Sequence, residues 1–174
     1  MTAAPLEIRP AGPDDVPAMA RVFADAIEAK ARDSYGPRER AAWAARGSAE
    51  RFRAMLDDER NQLLVAVQGS RITGLAGLTG CDVSLLYTSP DAEAGTGTRL
   101  LAVVEDLART QGIGGLGLTA SRNAVAFYLR RGYAVARLAV RPLPGGLALP
   151  VCLMVKALQP AQPTRNGTVH GREA

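Results

Sequence analysis

Residues 83–101, VSLLYTSPDAEAGTGTRLL, read as a strand, a loop of small residues and then a helix. The apolar run holding Val83, Leu85, Leu86 and Tyr87 stops at Ser89-Pro90, because proline has no N–H to continue a ladder. Ala94-Gly95-Thr96-Gly97-Thr98 follows, and beyond it Leu100, Leu101, Val104, Leu107 and Ala108 share one helical face. Small residues at a helix start leave its first N–H groups uncovered, and phosphate can sit there. The loop is therefore read as the holder of a cofactor's pyrophosphate, with the rest of the chain building a site beside it.

On the N-terminal side, residues 6–9 form a short alternating strand that Pro10 stops. Asp14 or Asp15 caps a helix that turns Val16, Met19, Ala20, Phe23, Ala26 and Ile27 inward. Residues 33–37, DSYGP, break it. A second helical piece, 38–45, carries Trp43, the only tryptophan. Gly47 ends that piece and Ser48 caps a third, with Phe52, Met55 and Leu56 facing inward. Strands at 63–67 and 72–78 join through a tight Gln68-Gly69-Ser70-Arg71 turn with glycine at positive φ, and Gly80 leads into strand 83–88.

On the C-terminal side, Gly112, Gly114 and Gly115 end the helix that follows the loop, and residues 116–120 form a strand. A short helix over 122–131 ends at Gly132, and strands 133–140 and 147–155 flank a Pro144-Gly145-Gly146 turn. The order predicts an α/β (α+β) fold, a mixed, mostly antiparallel sheet of about seven strands flanked by helices. One domain is expected over residues 1–158, with a polar, disordered tail over 159–174.

The totals narrow the chemistry. At 174 residues with 47% hydrophobic and 22% charged content, the chain is an ordinary soluble domain. No apolar run is long enough to span a bilayer, and MTAAPLEIRP lacks the basic-then-apolar order of a secretion signal. A cytoplasmic location without membrane contact is expected. The net charge of +4 comes almost wholly from scattered arginines without aromatic interleaving, which argues against nucleic acid and suits a small anionic ligand. Cys81 and Cys152 are expected as buried free thiols in apolar strands, with no metal site. The single histidine, His170, lies in the tail, so no Ser-His or Cys-His nucleophile can be built. Acid–base work must fall to carboxylates, tyrosine, cysteine, backbone or water.

The loop together with Asn123-Ala124-Val125-Ala126-Phe127-Tyr128-Leu129-Arg130-Arg131-Gly132-Tyr133 resembles the GCN5-related N-acetyltransferase (GNAT) family over residues 6–158. That family carries Gln/Arg-x-x-Gly-x-Gly/Ala after its fourth strand, and one strand later an Asn, then Phe-Tyr and Gly-Phe or Gly-Tyr. Here the first signature reads Ala92-Glu93-Ala94-Gly95-Thr96-Gly97, so alanine stands where the family has Gln or Arg. Backbone N–H groups, which any residue supplies, do most of the phosphate binding. Glu93 is expected to point to solvent.

The resemblance implies an N-acetyltransferase that moves the acetyl group of acetyl-CoA to a primary amine by direct attack. It implies Tyr128 as the acid that protonates the leaving thiolate, with packing beside Phe127 as the plain alternative. Asn123 would bond the pantetheine amides or cap its helix, and Phe127 would be core with some cofactor contact. Leu86 and Tyr87 would lie where the fourth strand splays at a bulge and pairs with pantetheine, with Thr88 also binding the cofactor. Ala94, Gly95, Thr96, Gly97, Thr98 and Arg99 would hold the pyrophosphate. Asp82 is the candidate base, with Glu28 and Asp33 as competitors beside the acceptor. Tyr35 and Trp43 are candidates for the acceptor cleft, with core packing the favoured reading of the lone tryptophan. The acceptor is a small-molecule or peptide amine, and the hairpin over 133–155 could pair with a second copy. Two other readings are a silent acyl-CoA-binding sensor and a phosphate-loop nucleotide enzyme; the latter lacks a Gly-Lys-Ser/Thr after the loop.

Overall fold

The computed structural model describes residues 5–159. The expected tail from 160 on, with His170, lies outside the described residues.

Apolar residues at alternating and helical spacing form seven strands and five α-helices in one layered arrangement. The strands are β1 (Leu6–Pro10), β2 (Asn61–Gln68), β3 (Arg71–Thr79), β4 (Asp82–Thr88), β5 (Gly115–Ser121), β6 (Ala134–Pro142) and β7 (Ala148–Ala157). The helices are α1 (Val16–Lys30), α2 (Pro37–Ala44), α3 (Ala49–Asp57), α4 (Thr96–Thr110) and α5 (Val125–Leu129). The sheet order is β1-β2-β3-β4-β5-β7-β6, and only β4 and β5 pair in parallel. The helix α4 supplies the crossover that a parallel pair needs.

The sheet is covered on both faces, and β2 shows why its apolar run is continuous rather than alternating. Leu63 and Val65 pack with Phe23, Ile27, Phe52 and Trp43 beneath α1–α3, whereas Leu64 and Ala66 pack with Leu100, Leu101 and Val104 of α4. Gly74 lets α4 come this close: a Cβ there would lie 2.8 Å from Leu100 Cδ1. Ser48 caps α3 as expected, its side chain accepting from the Arg51 N–H at 3.2 Å. Asp15 precedes α1 without capping it. Its carboxylate accepts instead from Arg9 at 2.7 and 2.8 Å and from the Gly12 N–H at 2.8 Å.

Both cysteines depart from expectation. Cys81 is exposed, in the turn between β3 and β4, and Cys152 is only half-buried on β7. Polar Asp82 and Gly80 on either side draw the Cys81 segment out of the sheet's covered region. Among the described residues no helix is long and apolar enough to cross a membrane, and no cluster of metal-ligating side chains occurs.

Candidate functional site

The site begins where the sheet comes apart. The parallel strands β4 and β5 pair only through Asp82↔Gly117 and Val83↔Leu118, then diverge. The sequence places the bulge at Leu86 and Tyr87; the structure moves it to Ser84. Gly77 of β3 faces Leu85 and Leu78 faces Val83, which leaves Ser84 as the extra residue. A side chain at 77 would come within 2.8 Å of Ser84 Oγ, so the missing side chain makes room for the bulge there. Past it, Leu85, Leu86 and Tyr87 line a cleft of about 340 Å³ together with Leu118–Ser121, Trp43, Tyr128 and Arg141. A second cavity of about 250 Å³ shares Trp43, Leu86, Tyr87 and Tyr128 and adds Lys30, Thr88, Gly97, Asn123 and Phe127. A groove of about 280 Å³ continues along the loop past Ala94–Thr98 to Arg131.

In the loop, Gly95 has φ 89°, the left-handed conformation that favours glycine, and forms the N-cap of α4. The Thr96 N–H donates to the Glu93 carbonyl at 3.1 Å and the Arg99 N–H to the Gly95 carbonyl at 3.0 Å. The N–H groups of Ala94, Gly95, Gly97 and Thr98 have no acceptor among the described residues. These are the uncovered donors expected at a helix N-terminus, reinforced by the helix dipole. Glu93 turns aside, its carboxylate accepting from Gln68 Nε2 at 3.1 Å.

Two loop side chains are not placed as the sequence suggests. Thr96 is buried, and its hydroxyl donates to the Glu93 carbonyl at 2.7 Å. Arg99 reaches back to the Leu6 carbonyl at 2.8 Å and does not line the groove. Helical spacing carries position 99 round the helix from the groove toward β1. The cations come from elsewhere, at positions the sequence reading did not single out. Arg131 lies over the Phe127 ring at 3.6 Å, donates to the Phe127 carbonyl at 2.9 Å and to the Thr98 hydroxyl. Lys30, at the end of α1, donates to Thr88 Oγ1 at 2.5 Å across the mouth of the second cavity. Burial lowers the Lys30 pKa from the usual lysine range.

Tyr128 is 7% exposed and lines both cavities. Burial, with a smaller contribution from Tyr87, raises its phenol pKa well above the ordinary value. Asn123 lines the second cavity and caps nothing, since Ser121 and Ala124 hold the cap positions without side-chain bonds. Phe127 is half-buried between the groove and the second cavity.

The candidates on the acceptor side divide. Asp82 lines the main cleft, while Glu28 and Asp33 line none of the cavities around the splay. Glu28 is held by Arg40, whose Nη2 lies 3.0 Å from it and whose Nη1 donates to the Tyr35 carbonyl at 2.7 Å. Tyr35 is buried outside the cavities, a strut rather than a cleft residue. Its hydroxyl donates to the Pro150 carbonyl at 2.6 Å and accepts from the Arg122 N–H at 2.9 Å. Trp43 fits both readings: it packs edge-on against Tyr35, with centroids 5.8 Å apart, and lines both cavities.

A family model described as an acetyltransferase (GNAT) domain matches residues 31–140. No curated protein sequence matches the chain. Among solved structures, a GCN5-related N-acetyltransferase titled "Aminotransferase, Class-II" from Rhodopseudomonas palustris is 30% identical, with a TM-score of 0.83, over 91% of this chain and 99% of that one. The PaiA N-acetyltransferase of Thermoplasma acidophilum, solved with coenzyme A, is 20% identical (TM-score 0.72; 88% and 99% covered). YncA of Salmonella typhimurium, a putative acetyltransferase solved with acetyl-CoA, is likewise 20% identical (TM-score 0.61; 91% and 97% covered). With the sheet split between β4 and β5, the uncovered N–H groups at α4 and the Asn123–Tyr133 signature, the chain belongs to the GNAT acetyltransferase family.

Proposed function

We propose that the protein transfers the acetyl group of acetyl-CoA to a primary amine by direct attack, without an acyl-enzyme. The observation that carries this reading is the continuity of the groove. It runs from the free N–H groups of Ala94, Gly95, Gly97 and Thr98, past Thr88 and Asn123, to Tyr128 at the strand split. The diphosphate lies on the loop, with Arg131 and Lys30 supplying the positive charge that Ala92 lacks. The pantetheine arm follows Leu86–Thr88 like an added strand, with Asn123 bonding its amides.

The amine nitrogen attacks the thioester carbon, and the carbon–sulfur bond breaks. Tyr128, kept protonated at neutral pH by its raised pKa, donates a hydrogen bond and then its proton to the departing sulfur, and solvent returns a proton to the phenolate. Asp82, the one carboxylate lining the cleft, takes the proton released by the amine, by way of water. The domain spans residues 1–158. Its exposed edge strand β6, where Leu138 is 76% exposed beside Val135 and Val140, supports pairing with a second copy.

Calorimetry with acetyl-CoA, followed by thiol release over an amine library, tests the reading. Tight binding with thiol release dependent on amine supports it. Binding without thiol release from any amine would leave an acyl-CoA sensor, and absence of binding would end both readings.

A further inference from the structure

Seven arginines are buried or half-buried among the described residues, and they fall into two groups. Arg9, Arg40 and Arg109 each meet a carboxylate, on Asp15, Glu28, and Glu105 with Asp106 respectively. Arg46, Arg51, Arg131 and Arg141 meet none among the described residues. Arg131 faces the loop groove, where the donor's phosphates are placed. The other three come from three separate elements and all act electrostatically on Tyr87, and of them Arg141 lines the main cleft.

Arg141, on β6, lines the cleft with Trp43, Tyr87, Leu149 and Val151, and makes no side-chain hydrogen bond among the described residues. Arg46, between α2 and α3, reaches the carbonyl of Pro142, the next residue on β6, at 3.5 Å. Arg51 of α3 donates to the Arg46 carbonyl at 3.1 Å and lies 5.8 Å over the Phe23 ring, which packs on Tyr87 at 4.4 Å. Three half-buried guanidinium groups without a counter-charge repel one another and lose hydration, an arrangement that an incoming anion relieves. Both Arg46 and Arg141 act electrostatically on Arg51, whose pKa is lowered chiefly by burial.

We infer that the acetyl acceptor is an amine that also carries a carboxylate, and that Arg141, backed by Arg46 and Arg51, receives that carboxylate. The inference rests on the acetyltransferase reading above. Strand register sets the scale: Arg141 pairs with Leu149 of β7, and Ser121, at the strand split, pairs with Val151. The two positions lie about 7 Å apart along the strands and about 10 Å apart across β7, a span that the Arg141 side chain shortens, so the amine and the carboxylate belong to one small molecule or one peptide end. A planar carboxylate suits a single guanidinium fork lining the cleft.

The test pairs substrates that differ only in charge. Free amino acids are compared with their amides, and peptides with a free amino terminus and glutamate at the second position with the glutamine versions. The expected kcat/KM ratio of carboxylate to amide is about tenfold or more, falling toward one in Arg141→Gln. A preference confined to the first pair assigns the free α-carboxylate; one confined to the second assigns an acidic peptide. Amides used as well as acids in both pairs, or a preference that survives Arg141→Gln, would overturn the inference. A binding measurement stands apart from turnover: N-acetyl amino acids should bind the CoA-loaded protein more tightly than N-acetyl amides. Equal or weaker binding of the acids counts against the inference. Failure of acetyl-CoA itself to bind is a different result, and it strikes the acetyltransferase reading.

Discussion

The two ends of the groove are built from different materials. The loop end is made of backbone: Gly95 in the left-handed conformation turns unbonded N–H groups outward at the start of α4. The acceptor end is made of side chains that α2, β4, β5, α5, β6 and β7 bring together from across the sequence, Trp43, Tyr87 and Arg141 among them. A backbone site is written in one contiguous stretch, whereas a side-chain site exists only once the fold has formed. The first can be shared by many relatives, and the second is where they differ.

Substitutions at each end should therefore fail differently. The largest effect is expected where the ends meet. Tyr128→Phe should lower kcat about a hundredfold while leaving acetyl-CoA affinity nearly unchanged. Because burial raises the Tyr128 pKa, the phenol stays protonated through neutral pH. The wild-type kcat profile should show no falling limb below about pH 10 that disappears in this variant.

At the loop end, Gly95→Val forces a β-branched residue into φ 89°. Acetyl-CoA affinity should fall about tenfold or more with kcat at saturation less affected, as titration calorimetry and kinetics would show. Next comes Arg131→Ala, with a loss of about tenfold in affinity for acetyl-CoA and a smaller loss for a pantetheine thioester that lacks the diphosphate. Equal losses for the two donors would remove Arg131 from the phosphate site.

Beside the acceptor end, Tyr35→Phe should leave the Pro150 carbonyl and the Arg122 N–H unpaired, costing about 1–3 kcal/mol in chemical denaturation. A changed acceptor KM without loss of stability would return Tyr35 to the cleft. The smallest effect belongs to Glu28→Gln, an exposed carboxylate paired with Arg40. The buried Arg40 keeps its bond to the Tyr35 carbonyl, so the denaturation midpoint should fall only slightly, with kcat/KM left as it was.

The same contrast explains what could be read in the chain before folding. Ser89-Pro90, Gly95 and the run from Asn123 to Tyr133 carry local physical signals, so the loop, the strand before it and the helix after it could be placed. The seven strands were legible from alternation and glycine punctuation, although β6 runs on to Pro142 because an edge strand tolerates proline. The position of the bulge was not legible, since it depends on Gly77 of β3 leaving room for Ser84 on the neighbouring strand β4. Nor was the fate of Arg99, which turns on where β1 lies beside α4. Tyr35 looked like a cleft residue because its partners, Pro150 and Arg122, are distant in sequence. Arg131 and Arg141 carried no signal as residue types, because what distinguishes them is the absence of a carboxylate after folding.

One groove joins the loop at the start of α4 to Tyr128. A crystal structure with coenzyme A tests it most directly. The diphosphate should lie on the N–H groups of Gly95, Gly97 and Thr98 beside Arg131, with the sulfur within about 3.5 Å of the Tyr128 hydroxyl. A diphosphate bound away from the loop, or a sulfur beyond reach of Tyr128, would contradict it.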